Sequence, residues 1–244
     1  MNKPKVIVIA GPTASGKSKL AVELAKKTDG EIISADSMQI YKDMNIGTAK
    51  ITSKEMSGIK HYMLDFVSPD ERYSVSEYKK QAEKCIEKII KKGKTPIICG
   101  GTGLYINSLV YGIEFNEEKI DEEYRNKLNN IAESEGLENL YNMALNIDPE
   151  AMQKISKNDK KRIIRVLEIY HKTGKTKTKQ NEDSRKKELK YDYKIFVLSM
   201  EREILYDRIN KRVDLMFEEG LIREVENILS KYDKFPTAMQ GLRI

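Results

Sequence analysis

Residues Val6-Ile7-Val8-Ile9-Ala10 run directly into Gly11-Pro12-Thr13-Ala14-Ser15-Gly16-Lys17-Ser18, and Leu20, Ala21, Leu24 and Ala25 follow at helical spacing. A short apolar strand, a glycine loop and an amphipathic helix are the setting in which G-x-x-x-x-G-K-[ST] works as a P-loop. Such a loop turns backbone N–H groups toward one point, and the helix N-terminus adds partial positive charge. Lys17 brings a mobile cation to phosphate oxygens, and the Ser18 hydroxyl is a candidate Mg²⁺ ligand. Gly11, Pro12, Thr13, Ala14, Ser15, Gly16, Lys17 and Ser18 are therefore candidate di- or triphosphate-binding residues. The motif leaves the phosphate compound open.

Working outward, residues 5–10 read as a buried parallel strand and 16–28 as the helix after it. Asp29-Gly30 makes a turn, and 31–34 is a second strand ending in Ala35-Asp36-Ser37-Met38-Gln39. Ligands of open parallel sheets bind beyond the carboxyl ends of the strands. A carboxylate at Asp36 can therefore act there as a general base, or it can cap the next turn. Residues 41–58 read as a loop, with Lys50 either a phosphate ligand or a solvated lysine. Residues 61–66 read as a strand. Ser74-Val75-Ser76-Glu77 is a capping box opening a helix with Val75, Tyr78, Ala82, Ile86 and Ile89 on one face. The strand at 95–99 enters Gly100-Gly101-Thr102-Gly103, a second glycine turn that lets backbone approach a ligand. Thr102 is a candidate hydrogen-bond donor to a phosphate oxygen or a reacting group. These elements predict an α/β fold: a P-loop NTPase-like parallel sheet flanked by helices.

The pattern changes near residue 116. No strand signal recurs until Lys194, so 1–115 and 191–244 read as the P-loop core and 116–190 as an inserted, all-helical, basic region. Residues 121–135 and 137–146 read as helices, and Asp148-Pro149 opens another with a cap and a proline at its first position. Residues 158–170 form an amphipathic helix with Ile163, Ile164, Leu167 and Tyr170 as its core stripe. Arg162 and Arg165 share a face. Residues 172–190 carry Lys175, Lys177, Lys179, Arg185, Lys186 and Lys187 and read as a mobile basic loop. Residues 193–198 return to the sheet. The helix after them turns Leu205, Ile209, Val213 and Met216 inward, with Arg208 and Arg212 bordering that stripe and calling for an anion, either a phosphate in the adjacent site or Asp207, Asp214 or Glu218.

The 244 residues suffice for a sizeable core. The net charge of +6 leans toward a polyanionic partner. Cys85 and Cys99 sit in apolar settings and read as reduced thiols rather than a disulfide framework. His61 and His171 lack metal-ligand spacing. The N-terminal apolar run is too short for a signal peptide and no stretch is long enough to span a bilayer, so a cytoplasmic protein is expected. Three classes of function survive: a small-molecule kinase with Asp36 as base, an enzyme transferring a group to nucleic acid, and a nucleotide-binding module. The basic insertion favours the second.

Five blocks occur in order: 11–18, Ser34-Ala35-Asp36-Ser37-Met38-Gln39-Ile40-Tyr41, Asn45-Ile46-Gly47-Thr48-Ala49-Lys50, Gly100-Gly101-Thr102-Gly103-Leu104-Tyr105 and Asn158-Asp159-Lys160-Lys161-Arg162-Ile163-Ile164-Arg165. Together they resemble the bacterial tRNA dimethylallyltransferase family, also called tRNA isopentenyltransferases. The resemblance covers essentially the whole chain. It implies transfer of a dimethylallyl group from dimethylallyl diphosphate to N6 of the adenine on the 3′ side of the anticodon. The P-loop, usually read as ATP-binding, would grip the donor diphosphate with Mg²⁺ on Ser18. Asp36, Thr102, Lys17 and Arg208 would be catalytic. Asp36, Ser37, Met38 and Gln39 would meet the flipped adenine, and Lys161, Arg162, Ile163, Ile164 and Arg165 would meet the anticodon stem-loop. A cytoplasmic monomer is implied. Family members continue past the equivalent of Gln240 with an Ile-Gly-Tyr-Lys-Glu-like block and further helices. This chain reads Gly241-Leu242-Arg243-Ile244, so a shortened C-terminus is expected.

Overall fold

The computed structural model describes residues 3–113, 121–186 and 188–241. The chain divides into two compact units, 1–110 with 189–244, and 111–188. Lys187 and the expected 115/116 boundary lie outside the described residues. In chain order the first part of the core holds β1 (Lys5–Ala10), α1 (Lys17–Thr28), β2 (Gly30–Ser34), α2 (Ser53–Met56), β3 (His61–Tyr62), α3 (Val75–Lys91), β4 (Thr95–Gly100) and α4 (Gly103–Val110). The inserted unit holds α5 (Glu122–Ser134), α6 (Leu137–Ile147), α7 (Pro149–Met152), α8 (Lys160–Thr173) and α9 (Lys177–Arg185). The core resumes with β5 (Asp192–Val197), α10 (Arg202–Glu218), α11 (Leu221–Leu229) and a 3₁₀ turn at Ala238–Gly241.

The described strands form one parallel sheet in the order β3-β2-β4-β1-β5. Val8 registers against Ile98 on one side and Ile195 on the other, and Ile32 against Ile97. Successive strand residues point to opposite faces, and both faces of the central strands are covered. Val6, Val8, Ile33 and Ile98 pack with Tyr78, Ala82, Ile86 and Ile89 of α3. Ile9, Ile32 and Ile97 pack with Ala21, Val22 and Ala25 of α1. A strand buried on two faces has no polar side to show, which is why 6–10 reads as a continuous apolar run. The capping box at Ser74 is formed: its hydroxyl accepts from the Glu77 amide while Glu77 accepts from the Ser74 amide.

Several local expectations are corrected. The expected strand at 61–66 ends after Tyr62, because Met63 (φ 61°) and Asp65 (φ 58°) take left-handed backbone conformations incompatible with a strand. The 41–58 loop contains α2, held by its own Thr52–Glu55 capping box. The 172–190 segment is not a loop throughout: it carries α9. That helix has no apolar stripe to announce it. It is fixed by the Thr176 cap and by Asp148, which accepts from the Thr178 amide at 2.9 Å and hydroxyl at 2.7 Å. β5 is an edge strand, and Ile195, Phe196 and Val197 are exposed on it.

On α10 the inward stripe differs from the expected one by a single member. Leu205, Ile209, Arg212 and Met216 are half-buried, while Val213 is 40% exposed. Steps of four, three and four residues keep this set on one helix face. Arg212 thus lies within the stripe instead of beside it.

Candidate active site

The P-loop geometry follows from its glycines. Gly16 sits at φ +87° and ψ 12°, a left-handed conformation that opens α1 and that L side chains rarely adopt. The Lys17 ammonium folds back over the loop and donates to the Pro12 carbonyl at 2.6 Å. Burial lowers its pKa below the ordinary 10.5; Cys99 and Asp36 oppose that shift and Arg212 adds to it. Burial also pushes the Cys99 thiol up to about 12, so it stays protonated and apolar in character.

An open cavity of about 710 Å³ lies against this loop. Ala14 to Lys19 form one wall, the 45–52 segment with Glu55 another, and Arg208, Arg212, Leu215 and Met216 of α10 a third. Arg208 donates a long 3.5 Å hydrogen bond to the Ala14 carbonyl, and Arg212 donates to the Ala49 carbonyl at 3.3 Å. Burial lowers the Arg212 pKa, and Asp36 and Glu55 raise it in partial compensation. Two guanidiniums, one of them half-buried, and the Lys17 ammonium near one cavity make a site for a multiply charged anion. Lys50 lines the same cavity but is neither a free phosphate ligand nor a solvated lysine. It donates to the Tyr41 carbonyl at 2.6 Å and to Asp65 at 2.7 Å, and its side chain is 8% exposed.

Asp36 and Thr102 sit together at the carboxyl ends of β2 and β4. Gly100 makes this possible: a Cβ there would lie 2.1 Å from the Ala35 carbonyl oxygen. The close approach lets the Ala35 amide donate to the Cys99 carbonyl at 2.8 Å and the Thr102 amide to the Ala35 carbonyl at 3.0 Å. Thr102 Oγ1 accepts from the Ser37 amide at 2.9 Å and lies 3.3 Å from Ser37 Oγ. Asp36 Oδ1 accepts from the Met38 and Gln39 amides at 2.9 and 3.3 Å. The turn-capping reading of Asp36 is thus observed. One carboxylate oxygen caps the turn, and among the described residues the other receives no hydrogen bond. The Gln39 side-chain Nε2 donates to the Thr48 and Ala49 carbonyls, and Met38 packs on the cluster around Ile40 and Met44.

Ser18 lines the cavity beside Lys17. Among the described residues no three His, Cys, Asp or Glu side chains gather into a metal-holding group. One hydroxyl suits Mg²⁺ carried in by a diphosphate, since that ion keeps several waters and takes few protein ligands.

Residues 39–244 match the family model described as IPP transferase. The chain is 54% identical over 238 residues to the tRNA dimethylallyltransferase of Acetivibrio thermocellus, covering 97% of this chain and 76% of that protein. It belongs to the IPP transferase family. It is also 47% identical to the tRNA dimethylallyltransferase of Bacillus mycoides, over 93% of this chain and 72% of that one. Among solved structures, the full-length tRNA isopentenylpyrophosphate transferase of Bacillus halodurans superposes with a TM-score of 0.67 at 40% identity, covering 98% of this chain and 74% of that one. A eukaryotic dimethylallyltransferase crystallised while acting on tRNA gives a TM-score of 0.79 at 36% identity, over 94% and 57% of the two chains. The P-loop NTPase-like fold expected from the sequence is the fold of this IPP transferase family member.

In the inserted unit of this family member, α8 divides the residues assigned to RNA. Lys161, Arg162 and Arg165 are exposed, whereas Ile163 and Ile164 are buried in the helical core with Leu128, Leu140 and Leu167. The two isoleucine side chains are corrected from contact residues to supports. Tyr170 is 42% exposed and Val166 takes its place in the stripe. Arg165 and Arg125 both reach the buried Glu168, at 3.3 and 2.6 Å. A second cavity of about 280 Å³ in this unit is lined by Lys154, Arg162, Lys177 and Arg185, among others. Burial, together with Arg162 and Arg165, lowers the Lys177 pKa, and nearby Asp148 and Asp159 oppose it. No described helix is long and apolar enough to cross a membrane.

Proposed function

We propose that this chain transfers a dimethylallyl group from dimethylallyl diphosphate to N6 of the adenine on the 3′ side of the tRNA anticodon. The observation that carries the reading is the convergence of Lys17, Arg208 and Arg212 on one P-loop cavity, with the Asp36 carboxylate near enough to favour the charged forms of Lys17 and Arg212. Family membership supplies the chemistry to which that convergence is suited.

The reaction forms a bond from N6 to the allylic carbon, breaks that carbon's bond to diphosphate, and releases one amine proton. Negative charge grows on the departing diphosphate. The loop amides, Lys17, Arg208 and Arg212 meet it with donors already placed around the cavity. Asp36 takes the proton. Its turn-capping oxygen stays committed to the Met38 and Gln39 amides, which holds the other oxygen in place for the amine. Thr102 acts by positioning, since its hydroxyl is engaged with Ser37. Mg²⁺, held by Ser18 and the diphosphate, would add further charge neutralisation on the leaving group. The adenine reaches this site by leaving its stack, with the 36–39 turn as its receiving surface. Lys161, Arg162 and Arg165 grip backbone phosphates of the anticodon stem-loop. The protein acts as a cytoplasmic monomer.

The deciding experiment is transfer of labelled dimethylallyl diphosphate to unmodified tRNA with Mg²⁺, with ATP in place of the prenyl donor as control. Label is expected in the tRNA, and its removal with EDTA present would support the metal. Turnover of ATP with a small hydroxyl acceptor and no dependence on tRNA would overturn the reading in favour of a kinase.

A further inference from the structure

The 45–50 segment forms one wall of the cavity, and its backbone is held from both sides. On its carbonyl side, Gln39 donates to Thr48 and Ala49, and Arg212 donates to Ala49. On its amide side stands a single group from far along the chain. Glu224 of α11 accepts from the Asn45 and Ile46 amides with Oε2, each at 2.8 Å, and from the Gly47 amide with Oε1 at 2.9 Å. Three successive amides converging on one carboxylate are a backbone anion nest, and hydrogen bonds to an ionised acceptor are the strong kind. The seat is close-fitting: a Cβ on Gly47 would meet Leu221 Cδ1 at 3.1 Å. Within the loop, the Lys50 amide donates to the Asn45 carbonyl and the Ala49 amide to the Ile46 carbonyl, so the turn fixed at 45–47 also sets Ala49 and Lys50.

We propose that Glu224 is a positioning residue for the donor diphosphate site. Its carboxylate occupies a nest that would otherwise present three free amides beside a phosphate-binding cavity. It thereby shapes the cavity wall and keeps a competing anion from seating there. The α10–α11 pair holds the loop at both ends of this arrangement, through Arg212 at Ala49 and Glu224 at 45–47. This inference rests on the cavity being the diphosphate site.

The test measures inorganic pyrophosphate binding by calorimetry, and the KM and kcat of transfer, for wild type, Glu224→Gln and Glu224→Ala. Glu224→Gln keeps the shape but puts an amide NH₂ against backbone donors. Loss of one charge-assisted bond predicts a rise of about tenfold in pyrophosphate Kd and in KM for the donor. The KM for tRNA and the kcat should change less than twofold. Glu224→Ala should lose more affinity and regain it when formate fills the vacated nest, a response that a generally loosened fold would not give. Unchanged pyrophosphate affinity in folded Glu224→Gln would overturn the proposal, as would a loss shared equally by kcat and tRNA KM. If Glu224→Ala fails to fold, Glu224→Gln alone decides. Absence of pyrophosphate binding by wild type would overturn the donor-site reading itself.

Discussion

The surroundings of the P-loop cavity in the core and the exposed face of the inserted helical unit hold their charges differently. Near the P-loop cavity, four charged groups are tied to backbone. Lys17 sits on the Pro12 carbonyl, Asp36 on the Met38 and Gln39 amides, Arg212 on the Ala49 carbonyl, and Glu224 on three amides. Each has one geometry because the backbone partner has one. In the insertion, the exposed charges pair mostly with neighbouring side chains: Arg162 with Asp159, Lys179 with Glu182 and Asp183, Lys154 with Glu150. Such pairs are weak and mobile. The contrast matches two tasks. Stabilising a leaving group needs donors fixed in advance, whereas gripping a polyanion needs only charge at the right density.

The most direct way to break this comparison is Asp36→Asn. Asparagine can still cap the turn through its carbonyl oxygen, so the melting temperature should hold. With Asp36 as the proposed base, transfer should fall by about 10²- to 10⁴-fold. Near-normal transfer would reduce Asp36 to a capping residue and make the core's carboxylate as ornamental to chemistry as a surface pair.

The Lys17 shift gives a second test, through pH. Burial disfavours the ammonium, so the free enzyme loses that charge at a pH below the ordinary lysine value of 10.5. The charge is present below the lowered pKa and lost above it. Donor kcat/KM should therefore fall about tenfold per pH unit on the alkaline side, starting below pH 10.5. Lys17→Arg should be slower throughout, because the fork-shaped group does not fit a point-charge seat, but should lack that alkaline limb. A limb unchanged in the arginine variant would assign it to another group.

Gly100 tests whether the core's order comes from backbone approach. In Gly100→Ala the new Cβ meets the Ala35 carbonyl 2.1 Å away, with backbone and no flexible side chain to yield. The cost should reach the upper end of overpacking, about 3 kcal/mol. That corresponds to a fall of about 6–12 °C in melting temperature for a chain of this size. Gly103→Ala is the control, since a Cβ there meets nothing within 4 Å.

These residues also mark what could be read from the sequence. The P-loop, Asp36 and the glycine turn at 100–103 were legible because strand, turn and helix follow one another locally, and strand ends collect ligands. Arg212 was half-legible. The spacing Leu205-Ile209-Arg212-Met216 was available, but a stripe is normally read through apolar residues, and Val213 displaced the arginine in that reading. Glu224 carried no local signal, because the amides it holds lie 177 to 179 residues earlier. Helix α9 is not legible for a related reason: its order comes from the distant Asp148 and a cap, not from an apolar period. Ile163 and Ile164 are legible as core from their spacing, and only the motif block in which they fall places them among the RNA contacts.

The smallest effect is expected in the insertion, and its form matters more than its size. Arg162→Ala with Arg165→Ala removes two exposed cations from α8, while Glu168 keeps Arg125 as its partner. Folding should be close to unchanged. If each arginine displaces a counterion from the RNA, the slope of log affinity against log salt should become shallower by about 1.4 to 1.8, between the single-strand and duplex limits. Affinity at moderate salt should fall by about tenfold, and kcat at saturating tRNA should hold if the chemistry lies with the backbone-tied groups near the P-loop cavity, as proposed. An unchanged salt slope would mean that these arginines are a solvated face. A fall in kcat would mean that the two units are not divided between grip and chemistry, and the comparison would have to be drawn along another line.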